Sequence, residues 1–265
     1  MKINTKFLEN YATQAPLALA FERVMECRIL SRQTFERPIL DIGCGEGLFA
    51  HVLFTEKIDT GIDPNARELQ RAHALGGYHE LIECFGDSIP RPDGAYQTVL
   101  SNSVVEHIPN LGPVLREAFR LLAPGGRLYL TVPSDRFDEY SLISQVLGLC
   151  RLTGLQRRFR AFYNRFWAHY HFYTPARWTE IVKSCGFEVV EVHSYGPKQV
   201  CLMDDMLTPF GIVARFTKSI FNRWTLVPRL RRVLLAPMLA FVRVALDGAD
   251  KCEAGGLVFI AARKP

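Results

Sequence analysis

The sequence predicts an α/β fold of the doubly wound kind. Short apolar runs alternate with amphipathic stretches between residues 38 and 132, and the first run ends in a glycine-rich turn. Each repeat of run and stretch is long enough for a strand and a returning helix. Units of that length assemble as a parallel sheet with right-handed crossovers.

The elements follow in order. Residues 7 to 30 place Leu17, Phe21, Val24, Met25 and Ile29 at helical spacing, which predicts one or two opening helices. Pro38 to Ile42 is a short apolar strand, and Leu48 to Leu53 opens a helix. Asp59 to Asp63 ends a second strand, and Pro64 to Leu75 is a helix with proline near its start. Leu81 to Phe85 and Ala95 to Ser101 are the third and fourth strands, and Leu111 to Leu122 is an amphipathic helix. Pro124-Gly125-Gly126 is a turn before a fifth strand, Arg127 to Val132. Phe187 to His193 and Gly256 to Ala262 are two further apolar strands.

Composition narrows the class. Hydrophobic residues are 48% and charged residues 22% of the 265, enough for a filled core and against disorder. Seven scattered cysteines include no CxxC pair, so neither a disulfide framework nor a structural zinc site is expected, and reduced thiols in the cytoplasm are. The N-terminal MKINTKFLENYATQ has no apolar stretch after its lysines, so no secretory signal is expected. The longest apolar run, Val233 to Val242, covers ten residues, half of the roughly 20 that a spanning helix requires.

In DIGCGEG, Asp41 to Gly47, three glycines at alternate positions follow the first strand. Glycine there lets the backbone turn sharply and approach a ligand closely. The helix after it offers free N–H groups to a carboxylate or phosphate. Asp63 closes the second strand twenty residues after Gly43, where an acid can accept from both hydroxyls of a ribose. Asp63-Pro64 is also a good helix start, and the two roles are compatible. Asp87 follows the third strand, where an adenine edge would lie; the alternative is a plain Gly-Asp turn. A nicotinamide dehydrogenase would show GxGxxG, whereas this loop is DxGxGxG, and no tyrosine precedes a lysine by four residues.

Taken together, ILDIGCGEG, GIDP, GDSIP, TVLSNSVVEHIPN and LLAPGGRLYLTVP resemble the class I S-adenosylmethionine-dependent methyltransferases. The similarity is strongest to the small-molecule group that includes ubiquinone- and sterol-pathway enzymes. It covers residues 35 to 135 in order and spacing, and HFYTPARWTEIVKSCGFEVVEV resembles the group's later helix and sixth strand. The resemblance implies a seven-stranded, mostly parallel, Rossmann-like sheet with an antiparallel last strand, carrying helical cap insertions. It implies S-adenosylmethionine as cofactor. Asp41, Gly43, Cys44 and Gly45 would line its methionine end, and Asp63 with Pro64 its ribose. Asp87 and Ser88 would meet the adenine, and Ser101 and Asn102 the methionine moiety.

On this reading residues 1–34 are an N-terminal helical segment and 35–138 the cofactor-binding core. Residues 139–178 are a basic, aromatic substrate cap, and 179–195 return to the core. Residues 196–255 are a basic amphipathic helical insertion, and 256–265 the last core strand.

Methyl transfer from a sulfonium is a one-step displacement, so it requires alignment, exclusion of water and, for a hydroxyl or amine, a base. His107 in VVEHIPN is the leading base candidate, with Glu106 beside it to orient it; a structural histidine is the alternative. His169 and His171 in WAHYHFYTP are further candidates for a base or substrate contact, against packed or solvated loop histidines. No His, Cys or Asp cluster has metal-ligand spacing, so no metal is expected.

The chain carries net charge +5, yet residues 140–178 hold six arginines and no acid, and 196–246 hold eight bases against two acids. The rest is an acidic body. Arginines interleaved with aromatics and aliphatics suit an anionic membrane surface and a small, hydrophobic or lipid-linked acceptor, with O-methylation favoured. A plain helical lid is the bland alternative. An RNA methyltransferase and a non-catalytic cofactor-binding member are the others, and nucleic acid is disfavoured by the absence of an NPPY-type tetrapeptide. The expected place is cytoplasmic, peripheral to the membrane.

Overall fold

The computed structural model describes residues 1–221, 224–225 and 228–265, without the side chains of residues 210, 212, 213, 215, 216, 221, 228, 229, 232 and 236. Two helices open the chain, α1 (Phe7–Gln14) and α2 (Leu17–Leu30). Then come β1 (Ile39–Ile42), α3 (Leu48–Leu53), β2 (Ile58–Asp63), α4 (Ala66–Leu75), β3 (Tyr78–Glu83) and β4 (Tyr96–Asn102). A single 3-10 turn, Val105–His107, leads into α5 (Leu111–Leu121) and β5 (Leu122–Pro133). The remainder is α6 (Leu142–Leu149), α7 (Thr153–Phe166), α8 (Pro175–Ser184), β6 (Glu188–Pro197), α9 (Lys198–Phe221), α10 (Pro228–Ala245) and β7 (Gly255–Arg263).

The strands form one sheet in the order β3-β2-β1-β4-β5-β7-β6. β7 is antiparallel to both β5 and β6, and the other pairs are parallel. Because successive strand residues face opposite sides, each strand feeds two cores. Ile39, Leu100, Tyr129 and Phe259 pack toward α1, α2 and α3. Their chain neighbours Leu40, Val99, Leu128 and Val258 pack toward α5 and α8, where Trp178 is fully buried. Full burial of such an aliphatic or phenyl side chain stabilises by roughly 1.5–3 kcal/mol. Trp178 Nε1 also donates to the carbonyl of Pro133 at 3.0 Å, fixing α8 to the end of β5. The strand order reverses between β1 and β4, and a crevice opens there at their carboxyl ends, the usual ligand position in such sheets.

Several boundaries differ from the sequence-based expectation. β3 starts at Tyr78 rather than Leu81, because it is the sheet edge and its His79 and Glu80 side chains stay exposed. Pro124-Gly125-Gly126, expected as a turn, lies inside β5 as a bulge: Tyr96 pairs with Leu122 while Thr98 pairs with Arg127. The bulge persists because Gly125 N donates to the Lys264 carbonyl at 2.9 Å. α4 starts at Ala66, capped by the Asn65 side chain, which accepts from Arg67 N at 3.0 Å.

The second basic segment folds as α9 and α10, packed on α2 and α1 respectively. Several of its bases are engaged. Lys218 Nζ lies 3.1 Å from Glu46 and 3.2 Å from Glu68. Arg231 donates to the carbonyls of Ala12 and Ala15 at 2.7 and 2.9 Å, and Arg243 pairs with Glu9. Within the insertion expected to be basic and amphipathic, residues Arg223 and Leu226 and the side chains of Phe210, Ile212, Val213, Arg215, Phe216, Phe221, Arg229 and Arg232 lie outside what is described. No helix among the described residues is long and apolar enough to cross a membrane.

Candidate active site

The glycine loop is built on left-handed backbone: φ is +76° at Gly43, +52° at Gly45 and +77° at Gly47. A Cβ at Gly43 would stand 2.3 Å from Val104 Cγ1, so glycine alone fits that position. Gly43 and Cys44 both donate their N–H to the carbonyl of Ile62 at 2.9 Å, which ties the loop to the end of β2. Gly45 N donates to Asp63 Oδ2 at 3.0 Å, and Asn65 N donates to Asp63 Oδ1 at 2.8 Å. Asp63 therefore holds the loop to the start of α4, and it remains half-buried. Burial raises its pKa, against the lowering effect of the two N–H donors.

Asp41 is buried beneath the loop and accepts from the Tyr78 hydroxyl at 2.6 Å. Burial lifts its pKa to about 7, opposed by the Tyr78 hydrogen bond and reinforced by Asp63. Cys44 is buried against Gly61 and Tyr78, so its side chain belongs to the core and only its backbone is at the loop. Pro64, Asp87 and Ser88 are exposed, with Phe85, 70% exposed, in the same loop as Asp87. Ser101 is buried and donates to the Ile42 carbonyl at 3.1 Å, clamping β4 to β1 where the glycine loop leaves. Asn102 donates to Glu26 at 2.8 Å and accepts from Thr131 at 3.0 Å, so its side chain braces α2 and β5.

Beyond β4 a cavity of about 250 Å³ opens between α2, the 103–107 loop, α7 and α9. Phe137, Tyr163, Trp167 and Trp224 supply aromatic wall, and Glu22, Glu106 and Asp204 supply carboxyls. Behind it lies Glu26, fully buried, which accepts from Arg23, Asn102, Ser103 and Tyr195 at 2.7 to 3.0 Å. A buried carboxylate is tolerable only with such a donor set.

His107 and His169 both line this cavity, their rings 5.0 Å apart. His107 Nδ1 lies 3.2 Å from the Ala168 carbonyl, which can only accept, so in the neutral ring Nδ1 carries the proton and Nε2 the lone pair. Burial lowers the pKa of His107, and lowers that of His169 to about 4. His171 is not at the cavity: its nitrogens meet the Tyr173 hydroxyl and the Ile108 carbonyl, both at 2.9 Å. Both ring nitrogens are thus engaged by loop contacts, apart from the residues that line the cavity.

Residues 12–192 match the model of a family described as a methyltransferase domain, more than half of the chain. The chain belongs to that family. Curated relatives align over less of it. The ubiquinone biosynthesis O-methyltransferase of Pectobacterium carotovorum subsp. carotovorum (strain PC1) is 32% identical over 106 residues, covering 37% of this chain and 43% of that protein. The arsenite methyltransferase of Aquipseudomonas alcaligenes is 34% identical over 133 residues, covering 42% and 38%. This methyltransferase thus spans about two fifths of the length of the curated relatives it matches. A solved S-adenosylmethionine-dependent methyltransferase from Thermotoga maritima shares the fold, with TM-score 0.56 at 16% identity over 94% of this chain and 92% of that one.

The crevice has the shape and charge to suit the S-adenosylmethionine that the sequence resemblance implies. Nothing lies within 4 Å of where a Gly45 Cβ would stand, so the loop has an open face toward a ligand. An acid stands on each side of it, Asp41 below and Asp63 beyond.

Among the residues at this site, Glu26 and Asp204 were missed by sequence reasoning. Glu26 shares its helix face with Glu22 and Arg23 and so reads in sequence as part of an ordinary charged stripe. Asp204 had no signal either, being part of a solvated-looking Asp-Asp pair.

Proposed function

We propose that this methyltransferase transfers the methyl group of S-adenosylmethionine to a small, hydrophobic or lipid-linked acceptor, by preference at oxygen. One observation carries the acceptor class: α7 has two working faces. Tyr163 faces the cavity. Outward, Leu155, Phe162 and Phe166 are 48% to 60% exposed, beside exposed Arg157, Arg158 and Arg165. A helix of that pattern suits the interface of an anionic bilayer, and its other side roofs the cavity. An acceptor drawn from the bilayer would enter beneath it.

Bound at the glycine loop, the cofactor supplies an electrophilic methyl on a positively charged sulfur. The chain does the rest. Asp63 holds the ribose end, the glycine loop lines the methionine end, and Asp41 supplies negative charge beneath the loop. The aromatic walls exclude water and orient the acceptor. His107 Nε2, with Nδ1 held by Ala168, takes the proton of an acceptor hydroxyl.

A second reading, transfer to an amine, is favoured by Glu22 and Asp204 beside the aromatic walls, a setting suited to a cation. The test is incubation of the protein with methyl-labelled cofactor and separate lipid, polar-metabolite and RNA extracts. Label in the lipid fraction is expected, and mass spectrometry of the product distinguishes oxygen from nitrogen. Label confined to RNA would overturn the acceptor class, and cofactor binding with no label in any fraction would indicate a non-catalytic member.

A further inference from the structure

We infer that Glu106, His107 and His169 form a binding site for a divalent first-row transition-metal ion in the cavity wall. No metal was expected from the sequence, because Glu106 and His107 are adjacent and the third ligand is 62 residues away. The fold removes that separation: one ligand atom from each residue lies within 4.8 Å of the others. Ligand atoms about 2.0–2.2 Å from a shared ion stand about 3–3.5 Å apart, so small side-chain rotations close the site.

Two independent features point to an absent ligand. Glu106 is only 2% exposed, and its Oε2 has no hydrogen-bond partner among the described residues. The buried His169 Nδ1 likewise has none. Buried polar atoms are almost always satisfied, so two orphans within one three-residue cluster call for an explanation. Asp204 Oδ1, on the same cavity, is a third.

The surroundings resemble the support of a metal ligand. His107 directs Nδ1 to the Ala168 carbonyl and Nε2 toward Glu106 Oε1, 3.8 Å away, the arrangement that fixes an imidazole for coordination through Nε2. Tyr170 N donates to the Glu106 carbonyl at 2.8 Å and His169 N to the Asn164 carbonyl at 2.8 Å. These bonds hold the two contributing segments in place before any ion arrives. The nearby Arg23 is already engaged by Glu22, Glu26 and Ser103.

Two imidazoles and one carboxylate select zinc, cobalt, manganese, iron or nickel over calcium and magnesium. Three protein ligands leave positions open to the cavity. There the ion would polarise an acceptor oxygen and ease loss of its proton to solvent; His107 Nε2 would be a ligand in the metal-loaded protein and the proton acceptor in the metal-free one. This role rests on the proposed methyl transfer, but the site itself does not.

Metal-stripped full-length protein titrated with Co²⁺ tests the site by visible absorption, with Zn²⁺ as competitor and calorimetry of S-adenosylmethionine run separately without metal. One equivalent of Co²⁺ is expected to bind and to be displaced by Zn²⁺. Glu106→Gln and His169→Ala, checked for folding by circular dichroism, are each expected to weaken uptake by about tenfold or more. His171→Ala, outside the cavity, is expected to leave it unchanged. No uptake by the parent protein, or equal uptake by Glu106→Gln and His169→Ala, would overturn the inference. Cofactor binding without metal uptake would overturn the site alone and leave the methyl-transfer reading standing.

Discussion

The hydroxyl of Tyr78 donates to Oδ2 of Asp41 at 2.6 Å, beneath the glycine loop, and is the one side-chain donor to that carboxyl among the described residues. Burial nevertheless keeps the Asp41 pKa near 7, with Asp63 adding to the rise. The folded-state value stands above the usual 3.8, so the protonated form is favoured by folding. Its contribution to the stability of the cofactor-free protein is present below pH 3.8 and lost as pH rises through about 7. Cofactor binding runs the other way, because a cationic ligand prefers the ionised acid. Affinity for S-adenosylmethionine is expected to fall by up to about tenfold per unit as pH drops below 7. Calorimetry from pH 5.5 to 8 checks this, and Asp41→Asn should flatten the profile. A parent profile as flat as that of the variant would remove Asp41 from the cofactor site.

Asp63 supports the loop with the same carboxyl that the proposed function assigns to the ribose. Removing it in Asp63→Ala deletes the acceptors of Gly45 N and Asn65 N as well as any ribose contact. Affinity for S-adenosylmethionine is expected to fall by about tenfold or more. Asp63→Asn retains one acceptor oxygen and should fall between the two. Unchanged affinity in a folded Asp63→Ala protein would reject the assignment.

The contrast between these acids and the cavity shows what a linear sequence can carry. Asp41, the three glycines and Asp63 are legible because their roles follow from local order: strand, turn, strand end, at fixed separations. Strand alternation is legible for the same reason, since Ile39 and Leu40 reach opposite cores by geometry alone. Tyr78 is not, because an edge strand with exposed His79 and Glu80 lacks the apolar run that marks its neighbours. Nor is the role of Arg231, counted in sequence as a free base. Its acceptors are the carbonyls of Ala12 and Ala15, more than 200 residues away, and backbone groups leave no mark on composition. His169 and His171 look alike in sequence, and only packing sends one to the cavity and the other to Tyr173 and Ile108.

His107 is expected to matter for turnover and little for cofactor affinity. His107→Ala should lower turnover by about 10² to 10⁴ while S-adenosylmethionine binds nearly as before, because the ring lines the cavity and not the glycine loop. Loss of cofactor binding or of folding would instead mark the His107–Ala168 contact as structural. Thermal unfolding of the variant, measured alongside, separates these outcomes.

Membrane association, if the outer face of α7 drives it, is tested most cleanly on that helix. Arg231 is a poor choice for mutation, since it holds α10 to the end of α1, and burial lowers its pKa. Arg157, Arg158 and Arg165 are exposed and flank Phe162 and Phe166, so changing them should leave the cores intact. The protein is expected to sediment with vesicles containing anionic lipid and much less with neutral ones. Each base near such a surface contributes about 1 kcal/mol, so replacing all three arginines with serine should weaken binding on the order of a hundredfold. Rising salt should act in the same direction, as the Debye length falls from about 10 Å at 0.1 M to about 3 Å at 1 M. Replacing Phe162 and Phe166 with serine should weaken binding at every salt concentration, because apolar burial is not screened. Cofactor affinity should be unchanged in both variants, because the replaced side chains are exposed on the outer face of α7. Binding lost to competing RNA but not to lipid would point to a nucleic-acid surface. Indifference to anionic vesicles at low salt would leave α7 as a lid over the cavity and nothing more.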